Sequence, residues 1–388
     1  MPTETIAPPA ARPGSRFAFL DLLRGWALLV MIEVHVFNTF LLPAIRDEAW
    51  FSVLNYVNGL VAPSFIFISG FVFMIAAERK IESYRAYGTA FWRQLGRIGT
   101  IWVVGYFLHL PFFSLHRMMT EMTPAGWLKF YQADVLHTIA LGLLVLFALR
   151  LGVRNDRVYT GILVAAGAVF AFGAMFVWDT DMTQYLPAPV AAYVNAQHYS
   201  LFPVFPWLAF MMAGGYLSNR FQRARASGTE ETFFRGFVRV GLVLAVGGFL
   251  LRQLPVSVPW VSQDVRANPI FFFERLGVVM TLLWLCRWYT VQRNTERSVV
   301  LDVSRESLMV YAAHLLVIYG QFFDEHSLSF LLGKNHGVIA CAAGTLLLAG
   351  VMIGAAMGWG WLKREHLRSA RLVMAAGTLI VCVLFMIR

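Results

Sequence analysis

Arg24 and His35 lie with ten residues between them inside the first long apolar run, FAFLDLLRGWALLVMIEVHVFNTFL. On an α-helix, eleven steps of about 100° bring the second residue back to within roughly 20° of the first, roughly 16 Å further along the axis. That rise is about half the hydrocarbon thickness of a bilayer. One helix face would therefore carry a guanidinium suited to an anion and, at a second depth, an imidazole suited to proton transfer. Ionisable groups at membrane depth are costly to bury, so such a pair reads first as a functional site. A snorkelling arginine and a neutral core histidine are the competing readings of the same residues. Asp21, three residues before Arg24, is placed to orient the guanidinium. Glu33 falls on the opposite side of the wheel, toward another helix.

Further along, Arg93 and Arg97 stand one turn apart in FWRQLGRIGTIW, as a phosphate clamp or as positive anchors at a membrane surface. PSFIFISGFVF carries Ser69 and, at Pro63, a proline that predicts a broken helix whose freed backbone groups would need to line a cavity. DVLHTIALGLL opens with Asp134 as a cap and His137 one turn in. SRESLMVYAAHLLVIYG places Ser304 and Ser307 at a helix entry and His314 at membrane depth. LFPVFPWLAFMMAGGYL holds Pro203 and Pro206, which predict an irregular entry, then Trp207, and then Gly214 and Gly215, which allow close helix packing. The segment from Trp178 to Ser200 gathers Asp179, Asp181, Tyr185, Tyr193, His198 and Tyr199. Aromatics with carboxylates suit a sugar or amine, although an interfacial aromatic belt has the same composition.

The elements that must position these residues follow from the bulk of the chain. Of 388 residues, 58% are hydrophobic and only 14% charged, which excludes an ordinary soluble domain. Apolar runs recur almost to the C-terminus and predict an all-α, polytopic membrane bundle of about eleven spans. Their centres fall near Leu29, Phe67, Val104, Leu143, Val164, Phe210, Leu244, Met280, Leu315, Leu347 and Leu379. The basic residues concentrate in alternate, short loops, which places the N-terminus in the cytoplasm and accounts for the net charge of +10 without nucleic acid. Residues 1–15 read as a disordered cytoplasmic tail and 16–388 as a single transmembrane domain. The run after the tail is too long and too charged for a cleaved signal peptide. Three isolated cysteines argue against a disulfide framework or a zinc site, and no metal is expected. No Walker loop, dinucleotide fingerprint or nucleophile elbow occurs.

These motifs together resemble the transmembrane acyltransferase superfamily. RFAFLDLLRGWALLVMIEVH is similar to its opening segment, and Arg24 to His35 matches the Arg-x10-His pattern of the acyltransferase-3 branch. FIFISGF and the Arg93/Arg97 pair resemble its second-span and paired-arginine signatures. DVLHTIALGLL, LFPVFPWLAFMMAGG and SRESLMVYAAHLLVIYG look more like bacterial relatives of the heparan-α-glucosaminide N-acetyltransferase catalytic domain. The resemblance implies a multi-pass protein of the bacterial cytoplasmic membrane. It would move an acetyl group from cytosolic acetyl-CoA to a hydroxyl or amine of an extracytoplasmic carbohydrate or small acceptor. His35, Arg24 and His314 become the catalytic candidates. Arg24, Arg93, Arg97 and Ser69 would meet the donor, and Asp134, His137, Trp207 and Ser307 the acceptor. The lysosomal enzyme is understood to carry its catalytic histidine in the loop after span 1, before a tryptophan. Here that loop reads AIRDEAWF, without histidine, so the role moves to His35. A proton-coupled transporter or flippase, and an envelope scaffold or sensor, remain the readings from other classes. The sequence leaves the oligomeric state open, a homodimer included.

Overall fold

The computed structural model describes residues 17–254, 262–293, 298–320 and 326–387. The tail 1–15, Arg16 and part of the expected outer loop 254–268 lie outside them. Among the described residues the chain is almost entirely helical and contains no strand, only an isolated bridge between Leu41 and His336. Among the described residues, eleven helices have at least 13 residues: α1 (Ala18–Phe40), α2 (Val61–Glu78), α3 (Thr89–Leu108), α4 (Val135–Gly152), α5 (Asp156–Val177), α6 (Val204–Ala226), α7 (Glu230–Arg252), α8 (Pro269–Arg293), α9 (Ser307–Tyr319), α10 (Val338–Glu365) and α11 (Leu367–Ile387). Each of the eleven expected span centres falls within one of them. Seven of the described helices are long and apolar enough to cross a membrane. The others are α1, α3 and α6, which carry many of the ionisable residues, and α9, which is only 13 residues long.

Local chemistry sets several boundaries. Asp134 caps α4 through a capping box with His137, its carboxylate accepting from the Val135 N–H at 2.6 Å. Asn155 accepts from the Arg157 and Val158 N–H groups to start α5. Pro63 does not break its helix. It is the third residue of α2, where the missing N–H is one that has no intrahelical partner in any case, so the helix continues unbroken through Ser69 to Glu78. The interruption comes earlier, at Gly59 and Leu60, after a short helix Ala49–Asn58. The entry to α6 is irregular as expected, with Pro203 at the cap and Phe205 in an extended conformation.

The centre of the bundle is the α2–α6 pair, packed backbone to backbone. A Cβ on Gly70 would strike the Met211 carbonyl, and one on Gly214 would strike the Phe67 carbonyl, so each helix presents its glycine to the other's backbone. Ser218 seals the seam by donating to the Phe71 carbonyl at 2.8 Å. Close approach through small residues replaces the hydrophobic drive that lipid cannot supply. Around this seam α1, α3, α4 and α9 enclose the site, while α10 and α11 lie outside with mostly exposed faces.

Candidate functional site: two chambers joined at one tyrosine

Two cavities lie between α1, α3, α4 and α9. The inner one, of about 410 Å³, is lined by Arg24 of α1, Ser69 and its neighbours on α2, Gln94 and Arg97 of α3, Val135 to Leu143 of α4, and Ser307, Leu308 and Tyr311 of α9. The outer one, of about 600 Å³, is lined by His35, by His109 and neighbouring residues at the end of α3, by Glu121 and Lys129 of the segment between α3 and α4, by Asp134, and by Tyr311, Leu315, Leu316 and Tyr319 of α9. Both volumes suit small-molecule pockets. Eleven residues of α1 thus carry its exposed chemistry from one chamber to the other.

In the inner chamber the Arg24 guanidinium is held by Asp21 at 2.5 Å and by the Ser304 hydroxyl at 2.9 Å. The i,i+3 pairing read from the sequence is therefore present, and it fixes the direction of the fork. Arg97 lines the same chamber, whereas Arg93, one turn earlier, does not, although both are exposed. Ser69 and Ser307 both lie on the wall; the Ser69 hydroxyl donates back to the Phe65 carbonyl at 2.7 Å.

In the outer chamber His35 and His314 come together across α1 and α9, with ring centroids 5.3 Å apart. His35 faces the cavity, its Nδ1 3.3 Å from the Tyr319 hydroxyl, which in turn lies 2.7 Å from Thr39 Oγ1. His314 is fully buried behind it. Its Nδ1 lies 2.8 Å from the Val310 carbonyl, which can only accept, so in the neutral ring Nδ1 carries the proton and Nε2 keeps the lone pair. That Nε2 has no hydrogen-bond partner. Asp134 reaches the same group, accepting from the Tyr311 hydroxyl at 2.9 Å.

Two of the sequence candidates go elsewhere. His137 is buried, with Nδ1 accepting from the Asp134 N–H and its ring against Tyr106, and it lines neither chamber. Trp207 packs among Phe202, Phe210 and Phe271 and also lines neither. Glu33 meets Asn58 rather than His35, as its position on the wheel requires. The aromatic and acidic loop is likewise apart from the chamber. Asp181 accepts from the Thr183 N–H and hydroxyl and pairs with His198 at 2.7 Å. Those bonds, the Thr183 hydroxyl foremost, hold its carboxyl down at about 2. Tyr185 and Tyr199 remain exposed. The loop after α1, where no histidine occurs, is tied locally: Arg46 donates to the Phe37 and Asn38 carbonyls, and Trp50 to Glu48.

Tyr311, Tyr319 and Thr39 were not singled out from the sequence, although a signal existed. Thr39 is one turn after His35, and Leu308, Tyr311, Leu315 and Tyr319 recur at three- and four-residue steps on the face of α9 that meets the chambers. Comparison with individual curated proteins gives no match. The model of the family described as heparan-alpha-glucosaminide N-acetyltransferase, catalytic, matches residues 16–247, which span α1 to most of α7 and so include Arg24, His35, Arg97 and Asp134. The chain belongs to that family of membrane acetyltransferases.

Proposed function

We propose that the protein transfers an acetyl group from acetyl-CoA, bound from the cytoplasmic side, to a hydroxyl or amine of an acceptor on the opposite side of the membrane. The observation that carries this reading is the division of α1 between two chambers, Arg24 in one and His35 in the other. A reaction with a polyanionic donor and an acceptor that must lose a proton needs those two functions at two depths. Arg24 and Arg97 would neutralise phosphate charge at the inner chamber, with Arg93 reaching the more exposed part of the donor, since arginine matches phosphate oxygens two at a time. Ser69 and Ser307 would line the path of the thioester.

His35 is the group facing the acceptor and acts as general base. The acceptor oxygen or nitrogen attacks the thioester carbonyl, its proton passes to His35, the C–S bond breaks, and the imidazolium returns that proton to the departing sulfur so that coenzyme A leaves as the thiol. His314 stands behind His35 and supports it, and Asp134 borders the acceptor. Such base assistance is typically worth about 10²–10⁴-fold. The fit of Arg24 and His35 to the Arg-x10-His pattern supports this assignment. The eleven-span count, a cytoplasmic N-terminus and a bacterial inner-membrane location belong to the same reading, supported by the alternation of basic loops.

The test is binding and transfer with labelled acetyl-CoA on the purified chain. Saturable binding that weakens in Arg24→Ala and Arg97→Ala, with transfer to glycan or amine acceptors lost in His35→Ala, is the expected result. Absence of acetyl-CoA binding together with proton-dependent solute uptake by reconstituted vesicles would overturn it in favour of transport.

A further inference from the structure

Among the described residues, one side chain lines both chambers. Tyr311 borders the inner cavity together with Ser307 and Leu308, and the outer cavity together with Leu315 and Tyr319. It is buried, and its hydroxyl is anchored on Asp134, the residue that caps α4. Neither neighbour along α9 can replace it, because only the residue at the meeting point of the cavities touches both. The anchor is itself well fixed. Asp134 is held by the Val135 N–H on one carboxylate oxygen and receives Tyr311 on the other.

We infer that Tyr311 is the partition between the donor and acceptor chambers, a positioning residue that admits the acceptor to the thioester while keeping water of the outer chamber from it. This deepens the acetyl-transfer reading and rests on it for its chemical consequence, though not for its geometry. A thioester placed against an open aqueous passage is consumed by water. Water oxygen attacks the carbonyl carbon, the C–S bond breaks, the departing thiolate takes one of the water's protons, and acetate forms with the other proton released to solvent and no acceptor modified. Excluding water from the reacting centre is a general function of closed sites. Here the one side chain common to both cavities is a ring hydrogen-bonded to the helix cap beside it, so its removal should join the two spaces and uncouple donor consumption from transfer.

The experiment uses the full chain in proteoliposomes, with Cys286, Cys341 and Cys382 replaced by alanine and a membrane-impermeant maleimide applied to one face at a time. With Tyr311 present, Ser69→Cys should be labelled from the inner-chamber face only and Tyr319→Cys from the outer-chamber face only. Adding Tyr311→Ala to Ser69→Cys should make that cysteine label from the outer face as well, because a closed site has been opened to solvent. In a separate chain, Tyr311→Cys should itself be labelled from both faces, which tests the shared position even if the alanine variant does not insert. Acetyl-CoA hydrolysis without acceptor should rise in Tyr311→Ala while transfer falls. Labelling of Ser69→Cys from both faces with Tyr311 intact, or no gain on Tyr311→Ala, overturns the partition. If labelling behaves as expected but neither hydrolysis nor acetyl-CoA binding is seen, the partition stands and the acetyl-transfer reading fails.

Discussion

His35 of α1 and His314 of α9 lie with their rings 5.3 Å apart, although 279 positions separate them in the chain. Only His35 faces the outer chamber; His314 sits behind it with Nδ1 committed to the Val310 carbonyl and Nε2 unpaired. The two imidazoles therefore have unequal access to an acceptor. His35→Ala should reduce kcat by about 10²–10⁴-fold. His314→Ala should reduce kcat less, with the acceptor KM unchanged, and the double variant should fall short of the product of the two losses because the residues act as a unit. Steady-state kinetics on all three variants checks this, and a multiplicative double variant would show that they act independently.

Arg97 lines the inner chamber and Arg93 does not, which separates two residues that the sequence offers as a pair. Losing a charge-assisted hydrogen bond costs about 1.5–3 kcal/mol, or about 10–100-fold in affinity. Arg97→Ala should weaken acetyl-CoA binding by that order, whereas Arg93→Ala should change it by much less. Isothermal titration with acetyl-CoA decides the matter, and equal losses at both positions would mean that the clamp lies outside the chamber.

Gly214 and Gly215 are adjacent but differently placed. A Cβ at Gly214 collides with the Phe67 carbonyl and stands 3.1 Å from the Phe71 nitrogen, both backbone atoms that cannot move aside alone. At Gly215 the nearest atom is a Leu163 methyl at 3.4 Å. Gly214→Ala should cost about 1–3 kcal/mol or more through the forced separation of α2 and α6, while Gly215→Ala stays close to neutral. Thermal unfolding in detergent should show a clearly lower Tm for the first variant only.

The Asp181 carboxyl is held at about 2, chiefly by the Thr183 hydroxyl and then by His198. A carboxyl whose folded pKa is depressed stabilises the fold above its ordinary value of about 4 and loses that contribution as pH falls through the folded value. The loop contact should thus persist at pH 4 and be lost only toward pH 2. Thr183→Ala should move the Asp181 titration upward, as followed by infrared spectroscopy of the carboxyl band; an unchanged midpoint would remove Thr183 as the cause.

What the sequence determined by itself is the local geometry. Helical spacing alone placed Arg24 and His35 on one face of α1, tied Asp21 to Arg24, sent Glu33 elsewhere and capped α4 at Asp134, because each depends on residues within a few turns. Apolar runs located every main helix for the same reason. The break that Pro63 predicts does not occur, because a proline interrupts a helix only beyond its first turn and the start of α2 is set by the Gly59–Leu60 interruption. The tertiary structure alone decided that His314 stands behind His35, that His137 and Trp207 line neither chamber, and that Tyr311 divides the inner space from the outer. Those facts depend on how α1, α3, α4 and α9 close around a cavity. Which face of a helix meets a void is fixed by the shapes of its neighbours and not by its own periodicity.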